Sequence, residues 1–470
     1  MRNTAKLLAL VVVAALVPET GCNDPLRVNY PDVVPPGALN TAAALATLRA
    51  GAIGDFAIAY TGDHPDGSGG TGEGVIEYGG LLADEFFDAE TFPTRIEVDA
   101  RTVQVTNSDV DLWYRLMHRA RHSAETAAGR YAAITPSGDP GYPEMLDLAG
   151  YTYLFFAETF CSGVPVSQLT ASGTTIYGLP LTTVQLLDTA IVRFDSALKV
   201  STDPGMTSFA NVGIARAQLD LGQFANAATT VASVPTSFAY IESHSTNTDR
   251  ENNGVFNAGA TDSRYSVADR KGGNGFPFRS VSDPRTPFDS VGIGFDMKNV
   301  LWGNVRYGGR PSPITVATGV EARLIQAEAA LQLGDTGATG QFLAQLNLPR
   351  DSAALRSYFD PNPAGSGAAP IPALASLTTA DIAAAGGAVN LLFAERARWL
   401  WLTAHRLGDL RRLARPIASG GYGRPQNTVF PSGAYPYHVN FSSYGSDVNI
   451  PVPITEQNNP NFTKCLDRNP

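Results

Sequence analysis

Apolar residues recur along this chain at the three-and-four spacing of helix faces. Val110, Trp113, Met117, Ala120 and Ala124 make one stripe, and Met145, Ala149, Tyr153, Phe156 and Phe160 a second. Val184, Leu187, Ile191, Phe194 and Leu198 make a third, behind Thr182 or Thr183 as a cap. Val320, Leu324, Ala327 and Leu331 make a fourth, which stops at Gly334, a residue suited to a helix C-terminus. Phe393, Ala397, Leu400, Ala404 and Leu407 predict one long helix over about 389–413. Antiparallel helix pairs bury stripes of this kind most economically. Between them, residues 62–80, 247–313, 358–372 and 416–453 are too rich in Gly, Pro, Asn and Asp for helix. Connections this long carry function or stay disordered. The pattern therefore predicts an all-α dominated scaffold with long irregular insertions and little β structure.

Two turns refine that picture. Leu221-Gly222-Gln223-Phe224-Ala225-Asn226-Ala227 resembles the Leu-Gly-x-Tyr-x-x-Ala corner of tetratricopeptide repeats, and Pro235 closes the unit. Leu333-Gly334-Asp335 repeats part of it ahead of a helical segment around 342–346. In such a corner Gly permits the tight turn, the aromatic ring fills the gap between helices, and Ala allows close packing. A tetratricopeptide-like right-handed helical array is the expected scaffold.

The N-terminus adds a compartment. Arg2 and Lys6 precede an apolar run from Leu7 to Val17, which suits the core of a secretion signal and is too short to span a bilayer. Gly21-Cys22 follows and resembles a bacterial lipobox, although Glu19 stands where that motif has an apolar residue. Residues 1–21 are thus expected to be cleaved and Cys22 acylated, and nothing later approaches a second span. Two or more acyl chains anchor stably where one does not. Cleavage removes Arg2, Lys6 and Glu19 and takes the net charge from −10 to −11. Such a chain lacks the basic excess that binding a polyanion needs, so no nucleic acid partner is expected. Of the three cysteines, Cys161 and Cys465 remain once Cys22 is acylated. In an oxidising compartment they either pair or stay as two separate thiols, and both readings stand.

Longer motifs carry a family resemblance. Glu395-Arg396-Ala397-Arg398 followed by His405-Arg406-Leu407-Gly408-Asp409-Leu410-Arg411-Arg412 resembles the C-terminal helix signature of SusD/RagB nutrient-binding lipoproteins. Trp399, Thr403, Ala404 and Gly408 depart from that signature. Glu321 to Ala329 (EARLIQAEA), Gly163-Val164-Pro165, Asn449 to Ile454 and Asn459-Pro460-Asn461 resemble further elements of the family, in its order. The resemblance spans nearly the whole chain. It implies a signal peptide over 1–21 and a single SusD-like domain over 22–470. Within that domain it places helical repeats at about 109–235 and 318–348, an insertion at about 247–313, a helix at about 389–413 and a loop-rich tail over 414–470. It also implies a lipid-anchored protein of the outer membrane, facing the cell exterior. That protein would pass an oligosaccharide, or a peptide, to a SusC-like TonB-dependent transporter without chemistry. An envelope scaffold is the first alternative, and a surface glycoside hydrolase the second. The charges of the C-terminal helix sit at spacings that permit intrahelical ion pairs, and are read as scaffold.

Few residues suggest chemistry. His118 and His122 lie four apart with Glu125 behind, but no His-Glu-x-x-His pattern or third ligand accompanies them, so they read as a solvated or hydrogen-bonded face. Asp84, Glu85, Asp88 and Glu90, threaded with Phe86, Phe87 and Phe92, suggest paired carboxylates of a glycosidase or, more simply, surface residues. Asp63, Asp66 and Glu73 do not fit a calcium loop. No metal, cofactor or catalytic residue is expected. For a binder, aromatic rings beside polar groups on supported loops are the relevant feature. Trp302, Asn304, Arg306 and Tyr307 supply that mixture in the insertion, and Tyr422, Phe430, Tyr435 and Tyr437 in the tail. Trp302 is the expected ring platform, with Tyr435 and Tyr437 as the second set.

Overall fold

The computed structural model describes residues 40–62, 72–170, 173–350 and 373–470. The expected signal peptide, Cys22, Asp63 and Asp66 lie outside them. The chain divides at Ala44; the piece before Leu45 contributes one described 3-10 turn, Ala42–Ala44, and the unit from Leu45 to Pro470 holds everything discussed below.

That unit is helix-dominated. Its principal helices are α1 (Leu45–Thr61), α2 (Val75–Leu82), α3 (Pro93–Asp99), α4 (Ser108–Ile134), α5 (Gly141–Thr159), α6 (Thr183–Val200), α7 (Pro204–Asp220), α8 (Phe224–Thr230), α9 (Gly319–Gln332), α10 (Gln341–Asn347), α11 (Ala388–Trp399) and α12 (Arg406–Ala414). From α4 to α10 each of these helices packs on the next, and α1 and α11 flank the array. Local chemistry fixes the starts. Asn107 accepts from the amides of Asp109 and Val110 ahead of α4, while Asp109 and Asp111 meet the positive end of its dipole. Thr182, not Thr183, caps α6 in a reciprocal box with Gln185. Both repeat corners turn on a left-handed glycine, Gly222 and Gly334, each at φ 73°.

The stripes mostly face inward, with one rotation. On α6 the buried positions are Leu186, Leu187, Ala190, Phe194 and Ala197, whereas Val184 is 54% exposed. The α5 stripe is not a stripe at all, because every residue from Pro143 to Thr159 is buried. Helix α5 is the axis of the core, with Tyr151 stacked on Phe209 and Phe155 on Tyr60. Contrary to the expectation of no further apolar span, Ala42–Thr61 is long and apolar enough by composition to cross a membrane. Within α1, however, Phe56 and the run to Tyr60 lie in the core, which accounts for their apolarity.

Two insertions are more regular than composition suggested. Residues 62–80 were expected to be loop, yet Val75–Leu82 is a helix buried along its whole length. Burial overrides the helix-weakening Gly79 and Gly80 there. The 247–313 stretch contains β-structure. Strand β1 (Phe86–Asp88), β2 (Ala239–Glu242), β3 (Tyr265–Val267), β4 (Phe288–Ile293), β5 (Val300–Asn304) and β6 (Ile314–Thr318) form antiparallel pairs β1–β3, β2–β6 and β4–β5.

The expected helix over 389–413 is two helices. Between α11 and α12 the chain turns through Leu402 and Ala404, both left-handed at φ 55° and 60°. Four consecutive carbonyls released by this break are taken by distant side chains. Arg306 donates to Trp401, the Tyr307 hydroxyl to Leu402, the Tyr60 hydroxyl to Thr403, and Arg216 to Ala404. Buried carbonyls need such partners, which is why non-glycine residues are held there.

The charges of this segment are also interior. Arg396 chelates Asp409, with Nε 2.9 Å from both carboxylate oxygens, and Arg412 reaches Asp409 at 2.8 Å, Asp220 at 3.1 Å and Glu328 at 3.2 Å. Glu395 accepts from Arg285 at 2.7 Å and Arg350 at 2.6 Å. The Glu395–Arg398 intrahelical pair that spacing permits does form, at 3.4 Å, while Arg396, Asp409 and Arg412 join a buried network across α7, α9, α11 and α12. Burial pushes the Asp409 carboxyl up, but Arg396 and Arg412 outweigh it and hold its pKa at about 2, below the usual 3.8.

Candidate ligand-binding face

Carboxylates 84–90 were read as surface residues or a catalytic pair; all four are buried, each with its own partner. Asp84 holds Arg406 through two bonds of 2.6 and 2.8 Å, and Glu85 accepts the Leu402 amide at 2.8 Å. Asp88 faces His438 Nε2 at 3.2 Å, and Glu90 holds Arg95 at 3.1 Å. Burial, followed by opposition from the Leu402 amide, leaves Glu85 raised to about 8. These groups fasten strand β1 into the body and do not converge on an open space. The interior of α4 corrects the histidine reading too. His118 sits between the Tyr114 and Phe156 rings, at 4.6 and 4.5 Å, and burial first and Arg121 second hold its pKa well down. Glu73 is buried as well, paired with Arg95 and bonded by the Tyr265 hydroxyl at 2.8 Å.

The predicted ligand residues divide in two. Arg306 and Tyr307 belong to the α11–α12 break, and Tyr307 is only 3% exposed. Asn304 caps the turn after β5 by accepting the Tyr307 amide. Tyr435 is buried, donating to Asp99 at 2.6 Å. Tyr422 donates to Glu328, and Phe430 lies under the Arg101 guanidinium. Tyr307, Phe430 and Tyr435, being buried, are corrected from ligand platforms to packing residues, whereas Asn304, Arg306 and Tyr422 are half-buried with the polar bonds just given.

Trp302 and Tyr437 are half-buried and belong to a surface. Trp302 is on strand β5, not on a loop, with Phe288 at its edge and the Arg279 guanidinium 4.6 Å over its ring. Tyr437 stacks on Phe87 at 4.1 Å, covering a small cluster of Phe87, Ala89, Ala268 and Leu301. Its carbonyl receives Lys298 Nζ at 2.9 Å and Asn299 at 3.3 Å. The same β4–β5 turn presents Phe295, 55% exposed, stacked with Phe92, 47% exposed, at 6.3 Å between centroids. Met297 beside it is 84% exposed. This pair was missed by sequence reasoning. Its signal was an aromatic flanked by glycine in Gly294-Phe295-Asp296, and Phe92 immediately before the Pro93 that opens α3.

The support under the pair is stiff. Phe295 and Asp296 anchor through backbone bonds to Ser263 and Ala89, at 2.9 Å each. Arg95 lies 5.0 Å from the Phe92 ring and is itself held by Glu73, Glu90 and Asp109. Large exposed rings beside ammonium, amide and carboxylate groups on an ordered frame make a face that stacks a flat apolar surface and hydrogen-bonds its rim.

No family model matches the chain, and no curated protein matches it. Solved structures do. A SusD/RagB family protein from Bacteroides thetaiotaomicron aligns over 88% of this chain and 94% of its own, with TM-score 0.60 and 12% identity. A laminarin-binding SusD-like protein aligns over 90% and 99%, with TM-score 0.57 and 14% identity. Surface glycan-binding protein A from Bacteroides uniformis aligns over 90% and 99%, with TM-score 0.57 and 13% identity. The chain has the SusD-like fold. At these identities the likeness is one of fold.

Proposed function

We propose that this protein is a surface lipoprotein that captures a carbohydrate without chemistry and delivers it to a TonB-dependent outer-membrane transporter. The observation that carries the reading is the exposed, rigidly backed Phe92–Phe295 pair, on a fold shared with structures described as glycan-binding. Sugar rings present C–H faces that stack on such aromatics, with hydroxyls left for Lys298, Asn299 and Asp296. The lipid tether and the transporter come from the lipobox-like Gly21-Cys22 and the family resemblance.

The double variant Phe92→Ala/Phe295→Ala is expected to weaken oligosaccharide binding by about 2 kcal/mol, as for aromatic anchors. Its thermal midpoint should hardly move, because both rings are about half exposed. Trp302→Ala should lower affinity and midpoint together, since Phe288 and Arg279 pack on its ring. Calorimetry against an oligosaccharide panel checks both, and unchanged affinity in the double variant removes this face from the mechanism. Product formation from any of those sugars would favour the hydrolase instead.

Lipidation is tested separately. Cys22→Ser should abolish incorporation of a fatty-acid label and move the protein out of the membrane fraction. A wild type that takes up no label refutes the anchor, and co-purification of a large barrel protein with the wild type supports the transporter.

A further inference from the structure

A cleft of about 1070 Å³ opens where the helical repeats meet the C-terminal segment. None of the aromatic-face residues lines it. Arg411, Arg415, Asp220 and Asp467 do, together with Thr182 and Thr183 at the start of α6.

Arg411 is only 2% exposed, yet it forms no ion pair among the described residues. Its Nη1 donates to the carbonyls of Ala157 at 2.8 Å and Phe160 at 3.4 Å. Its Nε is buried without a hydrogen-bond partner, and Nη2 has none among the described residues. The Nε–Nη2 edge, buried and unpartnered among the described residues, is the one that receives a carboxylate through two parallel bonds. Burial foremost, and the neighbouring Arg415 next, push the Arg411 pKa down to about 10 against the opposing pull of Asp220, Glu158 and Asp467. Arg415 also donates to the Asp220 carbonyl and to the main-chain oxygen of Pro470, which lines the same cleft. The acids nearby are partly engaged: Asp220 Oδ1 holds Arg412 at 3.1 Å, and Asp467 Oδ1 accepts the Asn469 amide at 3.0 Å.

Two further features suit an anion. The first-turn amides of Thr183 and Val184 have no intrahelical acceptor, so the positive end of an 18-residue helix opens on the cleft. The rim is also stapled, because Ser162 bridges Asp467 beside the Cys161–Cys465 disulfide.

We propose that this cleft binds a small molecule carrying one carboxylate and several hydroxyl or amino donors, with the carboxylate on Arg411 and Arg415 and the donors on Asp220 and Asp467. The two aspartates disfavour a polyanion, and a neutral sugar leaves the guanidinium edge empty. The site is independent of the aromatic face and does not rest on the capture reading.

The test is titration of purified full-length protein with D-glucuronate, D-glucose and sodium sulfate by calorimetry. Glucuronate should saturate, with glucose and sulfate at least about tenfold weaker. Arg411→Lys keeps the charge but loses the two-point edge, and should weaken glucuronate by about tenfold or more. Arg415→Gln, read alongside, carries the test if Arg411→Lys shows a collapsed circular-dichroism spectrum. Phe92→Ala/Phe295→Ala should leave glucuronate affinity unchanged, which separates failure of this site from failure of the glycan face. The proposal is overturned by no saturation at about 50 mM glucuronate, by sulfate or glucose binding equally well, or by unchanged affinity in either folded arginine variant. Loss of glucuronate binding in the aromatic double variant would overturn it too.

Discussion

Replacing Asp409 by asparagine is expected to destabilise the protein by about 3–5 kcal/mol at neutral pH, the loss that follows when one partner of a buried ion pair is removed. Asp409 is 1% exposed and joins Arg396 to Arg412, which in turn hold Glu328 and Asp220. Without the carboxylate two guanidiniums remain interior and under-compensated. The pH dependence has a definite sign. The folded-state pKa of Asp409 lies at about 2, depressed from 3.8, so its contribution is complete above pH 3.8 and disappears as pH falls through 2. Urea unfolding followed at pH 7 and in steps below pH 4 should show the gap between wild type and variant narrowing over that window. A gap under about 1 kcal/mol at pH 7 would assign the network no more weight than a surface pair. A gap that is constant with pH would contradict the depressed carboxyl.

The disulfide should matter about as much. Cys161 and Cys465 are bonded, with Cα atoms 6.0 Å apart and a sequence separation of 304. In the chain-entropy account a closure of that length stabilises by about 5 kcal/mol, less any strain. Cys465→Ser is the suitable variant, because Cys161 is fully buried and a hydroxyl there would add a desolvation cost of its own. It should lower the unfolding free energy by a few kcal/mol, and reduction of the wild type should reproduce the loss. Mass spectrometry of a non-reduced digest of the wild type checks the bond directly. Two free thiols, or equal stability with and without reductant, would exclude it.

How much of this was legible beforehand varied with the range of the forces involved. Apolar spacing located α4, α6 and α9 because each stripe is a local record of which side faces the core, while α5, buried all round, showed only that it is helical and apolar. Thr182, Gly222 and Gly334 were legible for the same reason: caps and left-handed corners act within a few residues. Order of motifs along the chain was enough to indicate the SusD-like fold that the solved structures share. Burial of charge was not legible. Asp84 and Arg396 look like surface residues in sequence, because their partners Arg406 and Asp409 come from elements that spacing cannot bring together. The aromatic face was half legible: Trp302 and Tyr437 were found, whereas Phe92 and Phe295 meet only when α3 and the β4–β5 turn are folded together.

The segment over 400–405 shows the division most sharply. By itself the sequence determined that residues on both sides are helical and that Leu400, Ala404 and Leu407 are core. Its periodicity runs through the break, since nothing local in Trp401-Leu402-Thr403-Ala404 demands a turn. Only the tertiary structure decided that the helix stops. Arg306 and Tyr307 from the turn after β5, Tyr60 from α1 and Arg216 from α7 take its carbonyls, and Glu85 takes the Leu402 amide. Those bonds replace the intrahelical ones, so a left-handed backbone at Leu402 and Ala404 persists where an isolated chain would relax into helix. Arg306 and Tyr307 read as ligand donors for the same reason, since a side chain committed to a distant carbonyl looks free until the fold brings that carbonyl to it.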